Sequence, residues 1–472
     1  MITLTHVCRA WREIFISRSS LWTDFDCVNA KKTRVYLKRS KSSPISLSLD
    51  VDDDLYSRHA FFKIIPHAIG RLKSLAVDAR LGHLQDITDH LSRPAPLLKH
   101  LSIHGDYQSG PQHGAPLTTA LFNGDLSSLR TLHLRSIRTE LPWRNMVNLT
   151  SLTLFHTPPG SPSITQLLDF FESAPHLSEI RLRLTASTSD AQGDRLVLLA
   201  CLKTMYITGS VPSSVLLDHL LIPAGADLET MIPFRGPRLD NLPRSLDNFK
   251  NLSNFTKIDL RVGGSRSHMQ FTGPNGRLSI APLDPPGDIT SLALESLARF
   301  DTSRTEQLNI DYGNPPSVEC PYRALLSMDS LRTLTLSRCE HLSRFMYALC
   351  PKPSRSEVVV CPKLEELIVI PYANRELFDI YSVMEMAATR ASRGAKLRIV
   401  ELVLGQDKLD PQDVLELKKH VLNVECSLWV DAANDDSEGS GEDTEDSGEG
   451  GDDGDEDNED SDEDSDDSDE ED

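Results

Sequence analysis

The chain has 472 residues, 39% of them hydrophobic, and a formal net charge of -21. Residues 435–472 hold 24 of the 70 acidic residues and no Lys or Arg, which leaves 46 acidic and 49 basic residues elsewhere. The eight cysteines form no C-x-x-C pair, and no apolar run is long enough for a signal peptide or membrane span. These features argue against a disulfide-rich secreted protein and a membrane protein, so we expect an intracellular protein, cytoplasmic or nuclear or both.

The first predicted element is a helical segment over residues 1–28. Its apolar side chains Val7, Trp11, Ile14, Leu21 and Trp22 lie at helical spacing up to a Ser/Arg turn, so one face needs a cover. These side chains either only cap the first unit of the array described below, or form a docking element that also caps it. Both interpretations place them against apolar neighbours.

A basic run follows on a predicted helix. It consists of Lys31, Lys32, Arg34, Lys38, Arg39 and Lys41. The run fits a nuclear signal or a nucleic-acid contact, but a solvated helix face is the favoured interpretation. The rest of the body is near neutral and no aromatic platform accompanies the run, so the sequence does not favour nucleic acid as a partner.

From residue 72 onward a frame recurs in which an apolar residue is followed by a second after three positions and a third after two more. The clearest copies are Leu129/Leu132/Leu134, Leu149/Leu152/Leu154 and Leu331/Leu334/Leu336. Further copies are Leu72/Leu75/Val77, Leu98/Leu101/Ile103, Leu177/Ile180/Leu182, Leu202/Met205/Ile207, Phe255/Ile258/Leu260, Ile289/Leu292/Leu294, Leu364/Leu367/Val369 and Ile399/Leu402/Leu404, with a degenerate one at Leu228/Met231. A spacing of about 20 to 35 residues is near that of leucine-rich repeats.

The frame predicts the fold class. The last two apolar residues of each copy face inward from a short strand, and neighbouring strands must pair in parallel to bury them. With helices predicted between strands, for example after an N-cap at Ser161 and after Asp410, residues 29–431 are expected to form an α/β leucine-rich-repeat-like solenoid. Its curved parallel sheet would carry the helices on the outer face. A globular α/β sheet is the alternative.

The residues between the inward leucines are candidates for binding, because they face the exposed concave side of the predicted sheet. In the central copies they are His133, Arg135, Phe155, Arg181, Arg183 and Tyr206. Aromatic and arginine side chains are enriched at binding hot spots, so we expect a protein partner here. The alternative is an ordinary solvated face, since a register error of one residue would reverse every side chain.

No arrangement of residues predicts catalysis. The chain has no nucleophile elbow, no phosphate-binding glycine loop and no H-E-x-x-H motif. Cys339, His341, Cys350 and Cys361 are too widely spaced for a metal site and are expected to be buried. We therefore predict a protein that is not an enzyme and has no cofactor or metal.

The acidic tail over residues 432–472 is predicted to be disordered, because its acidic stretch contains almost nothing to bury. Ser440, Ser461 and Ser468 each precede an acidic residue by three positions, a pattern that acidophilic casein-type kinases prefer. The tail would attract basic proteins such as histones or compete for the arginine-bearing face. Solubility is the simpler interpretation.

The stretch LTHVCRAWREIFISRSSLWTDFDC resembles the C-terminal half of an F-box, as found in the large F-box families of mushroom-forming fungi. The matching pattern is V-C-x-x-W-R, from Val7 to Arg12, with Leu21-Trp22 about ten positions on. The resemblance implies a substrate receptor of an SCF-type (Skp-cullin-F-box) ubiquitin ligase. Its F-box would bind a Skp-type adaptor joined to a cullin, and its repeats would hold the unknown protein substrate.

The resemblance to an F-box covers only the second part of the family's pattern. F-boxes normally begin with a Leu-Pro dipeptide and a first helix, and the sequence given starts after both. We therefore expect either further sequence upstream or a weakened adaptor contact. The alternative function is a leucine-rich-repeat scaffold, or an acidic-tailed binding protein, without a ubiquitin-ligase role.

Overall fold

The computed structural model describes residues 8–27, 29–50, 55–79, 81–105, 116–117, 121–139, 143–155, 162–184, 195–209, 212–233, 246, 248–252, 254–262, 267–283, 290–297, 300–311, 315, 317–350, 359–371, 379–404 and 409–428. The chain divides into two units, Met1–Trp429 and Val430–Asp472. The second unit lies outside the described residues, and so do Val7 and the predicted phosphosites Ser440, Ser461 and Ser468.

Seventeen strands form one sheet. They are β1 (Asp24–Asp26), β2 (Ile45–Asp50), β3 (Leu72–Ala79), β4 (His100–Gly105), β5 (Thr131–Arg135), β6 (Ser151–Phe155), β7 (Glu179–Leu184), β8 (Thr204–Gly209), β9 (Ala226–Pro233), β10 (Lys257–Arg261), β11 (His268–Gly273), β12 (Gly276–Leu283), β13 (Gln307–Asp311), β14 (Thr333–Ser337), β15 (Glu366–Ile370), β16 (Ile399–Leu404) and β17 (Asn423–Leu428). Two small parallel pairs stand apart, Pro116–Leu117 with Arg138–Thr139 and Val197–Leu198 with Leu220–Leu221.

The strands lie almost entirely in chain order. From β1 to β9 each strand pairs in parallel with the next, and the same holds from β13 to β17. Between these two runs the order is β9, β12, β11, β10, β13, and β11 alone is antiparallel to its neighbours. The predicted α/β class with a mostly parallel sheet is confirmed.

One face of this sheet is buried along nearly all the described strands, and the exposed Cys426 on β17 is an exception. In β5, β6 and β14 the burial alternates residue by residue, and the two leucines of each frame are the buried ones. The register aligns these leucines from strand to strand, for example Leu132 with Leu152 and Leu152 with Ile180. Because every inward side chain touches its counterparts on both neighbours, the leucines form a continuous core.

Helices connect many of the strands. They are α1 (Arg9–Ser17), α2 (Ala30–Ser40), α3 (Leu55–Ala68), α4 (Leu81–His90), α5 (Ile164–Ser173), α6 (Pro212–Asp218), α7 (Thr290–Leu297), α8 (Glu319–Leu326), α9 (Leu342–Leu349), α10 (Ile380–Ser392) and α11 (Pro411–His420), with short 3-10 turns at Ser19–Trp22, Ile69–Arg71, Leu121–Gly124, Trp143–Asn145 and Lys250–Leu252. From α7 to α11 each helix packs on the next. Their buried residues join the core of inward leucines.

Helix α5 begins two residues later than the sequence predicts. Ser163, not Ser161, is the N-cap, because its hydroxyl accepts the Gln166 amide N–H while the Gln166 side chain accepts the Ser163 amide N–H. This reciprocal pair satisfies two free donors at the helix start. The predicted N-cap at Asp410 is confirmed, since its carboxylate accepts the Gln412 amide N–H at 2.8 Å.

Three frame assignments were wrong. The copy at Leu292/Leu294 lies in helix α7, and the strand of that region is β13, with Leu308 and Ile310 inward. The copy at Ile399/Leu402/Leu404 is displaced by two residues, because Val400 and Leu402 are the residues that align with Leu367 and Val369. The degenerate copy is displaced by three residues, as Leu228 aligns with Met205 and Met231 lies on the other face.

The strands β11 and β12 are additions that the frame did not predict, whereas β10 carries the predicted copy with Ile258 and Leu260 inward. The stretch TGPNGRLSIAPL contains a tight turn between β11 and β12. Gly276 has φ 126, a conformation that side-chain-bearing residues rarely adopt. A Cβ at Gly273 would lie 2.7 Å from the Asn254 carbonyl oxygen, so both turn glycines are required by geometry.

Candidate functional site

The second face of the sheet carries the side chains that alternate with the inward leucines; we call it the open face. All six predicted binding residues lie on it: His133 and Arg135 on β5, Phe155 on β6, Arg181 and Arg183 on β7, and Tyr206 on β8. None of them is buried. The register therefore places these side chains on the face that the sequence predicted, and partner binding by them stays a prediction.

Four ring side chains on this face touch in sequence across the strands; we call them the aromatic row. The His104 and His133 ring centroids are 4.6 Å apart, those of His133 and Phe155 6.2 Å, and those of Phe155 and Tyr206 6.3 Å. Their edge-to-face geometry is one that aromatic pairs favour. The row ends where the Tyr206 hydroxyl lies 2.8 Å from the Met231 sulfur.

Cationic side chains flank the aromatic row. Arg135 and Arg181 are exposed, and Arg181 Nε donates to Glu179 Oε1 at 2.9 Å. Burial, together with the nearby His104, Arg135 and Arg181, lowers the pKa of His133 below its ordinary value of 6.5. His133 is therefore neutral at pH 7, and its Nε2 is buried without a hydrogen-bond partner among the described residues.

A depression of about 370 Å³ lies beside the row on β6 to β9 and β12. Its lining includes Phe155, Arg181, Tyr206, Asp227, Glu229 and Arg277. Arg277 pairs with Asp227 at 3.5 Å. Burial, and then the charge of Glu229, raise the pKa of Tyr206, so its hydroxyl stays a proton donor. With an aromatic wall and charges of both signs, the depression suits a side chain of a protein partner.

At the N-terminal end, Trp22 fixes the chain to the sheet. It is fully buried, and its Nε1 donates to the Phe15 carbonyl oxygen at 2.7 Å. The Tyr36 ring meets it edge-on with centroids 5.1 Å apart, and the Arg39 guanidinium lies 4.3 Å from its ring centroid. Trp22 and Tyr36, not helix α1, therefore cover the end of the core at β1 and β2.

Helix α1 departs from the expectation that its apolar residues pack against apolar neighbours. No residue of α1 is buried; Trp11 is 47% exposed and Ile14 57%. Leu21, in the following turn, is half-buried against the core. Trp11 and Ile14 are thus not packed into the core, contrary to the expectation, although the Trp11 and Phe15 ring centroids lie 5.7 Å apart within the helix.

Sequence reasoning missed a second group of open-face residues, on β15 and β16. These are Ile368, Ile370, Ile399 and Val403, with Glu401 among them. The signal was present in the runs LIVI and IVELVL, where apolar residues occupy both the inward and the outward positions. A strand that is apolar on both faces is typical of a sheet covered on both sides, and an uncovered apolar surface of this kind marks an interaction site.

The remaining observations concern membrane spans, metal ligands, the cysteines and similarity to known proteins. Within the described ranges, no helix is long and apolar enough to cross a membrane, and no three His, Cys, Asp or Glu side chains converge as metal ligands. Cys361 is buried, which raises the pKa of its thiol to about 12, while Cys339 and Cys350 are only half-buried. A comparison with models of known protein families found no match, and neither did one with curated proteins.

Proposed function

We propose that the chain is a non-enzymatic interaction protein, similar to the substrate-recognition subunit of an SCF-type ubiquitin ligase. In this proposal α1, with the half-buried Leu21 of the turn after it, docks a Skp-type adaptor, and the fully buried Trp22 anchors that turn instead of contacting the adaptor. The open face of a leucine-rich-repeat-like solenoid holds the protein to be ubiquitinated, and other subunits perform the transfer. The observation that carries the proposal is the uncovered apolar surface of α1 beside the anchored Trp22.

The energetics of α1 support a docking role. A helix of nine residues is marginal in water, and proteins normally stabilise such helices by burying an apolar side. No side chain of α1 is buried by the described residues, although Trp11, Ile14 and Ile16 are all large and apolar. Burying one such side chain contributes about 1.5–3 kcal/mol, so a partner that covers them would stabilise both the helix and the complex.

The strand order supports the second half of the proposal. Strands that follow the chain order, each joined to the next by a helix or turn, are the arrangement of an α/β solenoid. Such arrays leave one sheet face for binding, and here that face carries the aromatic row with Arg135 and Arg181 beside it. Arginine and tyrosine are frequent anchors of protein interfaces.

The alternative is a repeat scaffold or acidic-tailed binding protein without a ligase role. It is favoured by the fact that the aromatic row is formed entirely by β4, β5, β6 and β8, independently of α1. The two functions differ in the partner of α1, which the following experiment tests.

The test measures the affinity of the full chain for a purified Skp-type adaptor by calorimetry. We expect binding that weakens roughly a hundredfold in Trp11→Ala/Ile14→Ala, since about 3 kcal/mol of apolar burial is lost. Leu422→Ala is the matched control, because Leu422 is 69% exposed at the other end of the sheet. If neither the chain nor a version extended upstream binds the adaptor, the ligase role is wrong and the scaffold function remains.

A further inference from the structure

The C-terminal part of the open face carries an apolar surface, formed by Ile368, Ile370, Ile399 and Val403; we call it the isoleucine patch. Ile368 lies directly opposite Glu401 in the parallel register of β15 and β16. Ile399 and Val403 are two positions before and after Glu401 on the same strand, so they point to the same face. Glu401 therefore projects from the middle of an apolar surface.

The charged residues on the strands β15 to β17, which carry and flank the patch, are all acidic. Glu401 lies directly opposite Glu425 of β17, and Glu366 lies opposite Ile399. Within the described part of the chain these three carboxylates make hydrogen bonds but no ion pair: Glu401 accepts from Ser427, Glu425 from Asn423 and Glu366 from Thr333. Like charges facing each other across a strand pair are unfavourable, so the fold alone gives no reason for the Glu401–Glu425 pair.

The basic residues nearest in sequence have other partners. Arg332 Nη1 lies 3.0 Å from Glu365 Oε1, and Arg398 Nε lies 3.7 Å from Glu365 Oε2, at the starts of their strands. On the strands β14 to β17 themselves no Lys, Arg or His occupies any position. Among the described residues, the carboxylates of the patch thus have no basic side chain as an ion-pair partner.

We propose that the isoleucine patch docks a segment of a partner protein that carries apolar side chains and at least one Lys or Arg. The proposal rests on the proposed role of the open face in holding a partner. A wholly apolar segment would strip water from Glu401 and Glu425 without replacing it, and an acidic segment would be repelled. A basic side chain over Glu401 and Glu425 instead removes their mutual repulsion while its neighbours cover Ile368 and Val403.

The patch thus specifies a different chemistry from the aromatic row. The aromatic row presents rings with Arg135 and Arg181 beside them, whereas the isoleucine patch presents aliphatic side chains with carboxylates among them. A partner that spans both would carry acidic or aromatic groups at one end of its contact and basic, apolar groups at the other. Charge complementarity of this kind fixes the direction in which a partner lies along the sheet.

The experiment uses three fluorescent peptides of equal length and the full chain at physiological salt: a basic–apolar peptide of Lys, Ile and Val, a basic–polar peptide with Ser in place of Ile and Val, and an acidic–apolar peptide with Glu in place of Lys. The basic–polar peptide measures attraction to the acidic tail. We expect the basic–apolar peptide to bind at least about tenfold more tightly than the other two.

The decisive variant is Glu401→Lys/Glu425→Lys. It should lose about tenfold or more in affinity for the basic–apolar peptide and gain a preference for the acidic–apolar one. Glu295→Lys/Glu306→Lys is the matched control, since both glutamates are exposed and lie elsewhere on the chain, and it should bind as the wild type does. If the swapped variant unfolds, Glu401→Gln/Glu425→Gln takes its place and should still lower the affinity for the basic–apolar peptide.

Three results would overturn the proposal: no binding of the basic–apolar peptide, equal binding of all three peptides, or an unchanged preference in the swapped and neutral variants. Self-association that is lost in these variants would make a second copy the occupant instead, and would also overturn it. Because the adaptor is absent from this assay, a failed adaptor experiment with a successful charge swap rejects the ligase role and keeps the patch. The reverse outcome rejects the patch alone.

Discussion

The two ends of the open face share a backbone frame and differ in chemistry. On β5 to β8 the outward positions hold His133, Phe155, Arg181 and Tyr206, whereas on β15 to β17 they hold Ile368, Glu401 and Glu425. The inward positions at both ends are Leu, Ile, Val or Met, apart from Cys426 on β17, and nearly all are buried. The inward positions therefore determine folding, while the outward positions are free to determine what the protein binds.

The largest expected effect separates inward from outward positions. Leu152 is fully buried, and its replacement by Ala should lower the free energy of unfolding by about 2–5 kcal/mol, because a cavity opens between three strands. The adjacent outward change Thr153→Ala should stay within about 0.5 kcal/mol. Urea unfolding followed by circular dichroism measures both, and equal losses would contradict the division into two faces.

The next effect concerns the buried Arg390 of α10 and the turn before β15 that it holds. Arg390 is fully buried and donates to the carbonyl oxygens of Val360 (2.7 Å) and Cys361 (2.9 Å), where Cys361 has φ 48. Arg390→Met nearly keeps the volume but removes the Arg390 donor from the Val360 carbonyl oxygen, while the Cys361 carbonyl oxygen keeps the Leu364 amide N–H at 3.0 Å. The free energy of unfolding should therefore fall by about 2 kcal/mol. The exposed Arg393→Met is the control. An unchanged melting temperature in both would show that this contact does not hold the turn.

A smaller effect has the opposite sign. Replacing the facing pair by Glu401→Gln/Glu425→Gln should raise the free energy of unfolding by about 0.5 kcal/mol, since a cross-strand repulsion is removed. Glu229→Gln on β9 should give no such gain, because Glu229 faces Tyr206 and Ser279. Thermal unfolding of the three proteins checks this, and a loss of stability in the double variant would mean that the carboxylates support the fold.

The smallest effect is a pH dependence at the aromatic row. Because the pKa of His133 is lowered by burial and by nearby cations, the folded state binds fewer protons than the unfolded state. Stability should therefore fall as the pH drops through about 6.5, by less than about 0.5 kcal/mol, with no contribution above pH 7.5. His133→Gln should flatten this part of the profile and Arg135→Gln should reduce its slope. A profile that is identical in all three proteins would contradict the assignment.

Most of the inward leucines could be predicted from the sequence. Apolar residues that alternate with other residues along a short strand must all lie on one face, and that face is the buried one. The prediction failed where the frame is ambiguous. Leu292 and Leu294 match the two inward positions of a strand, but both lie in helix α7, where the buried Ala293, Leu294 and Leu297 follow helical spacing instead. The strand β13 was missed because the first position of its frame is the polar Thr305, three residues before Leu308.

In the candidate sites, too, some features could be predicted from the sequence and others could not. Register follows from the frame, so the outward placement of Phe155 and Tyr206 could be predicted. The exposure of Trp11 and Ile14 could not, because a helical apolar spacing is the same whether the apolar side is covered by the core or left open. The pairing of Glu401 with Glu425 depends on the register between two strands that are more than twenty residues apart, which no local pattern contains.

Hydrogen–deuterium exchange of the full chain, with and without a saturating Skp-type adaptor, tests the central claim most directly. The claim is that α1 is an uncovered docking helix on an otherwise self-sufficient sheet. We expect residues 9–17 to exchange rapidly in the free protein and to become protected with the adaptor, while the strands β5 to β8 are protected in both states. Unchanged exchange of residues 9–17 with saturating adaptor would contradict the account.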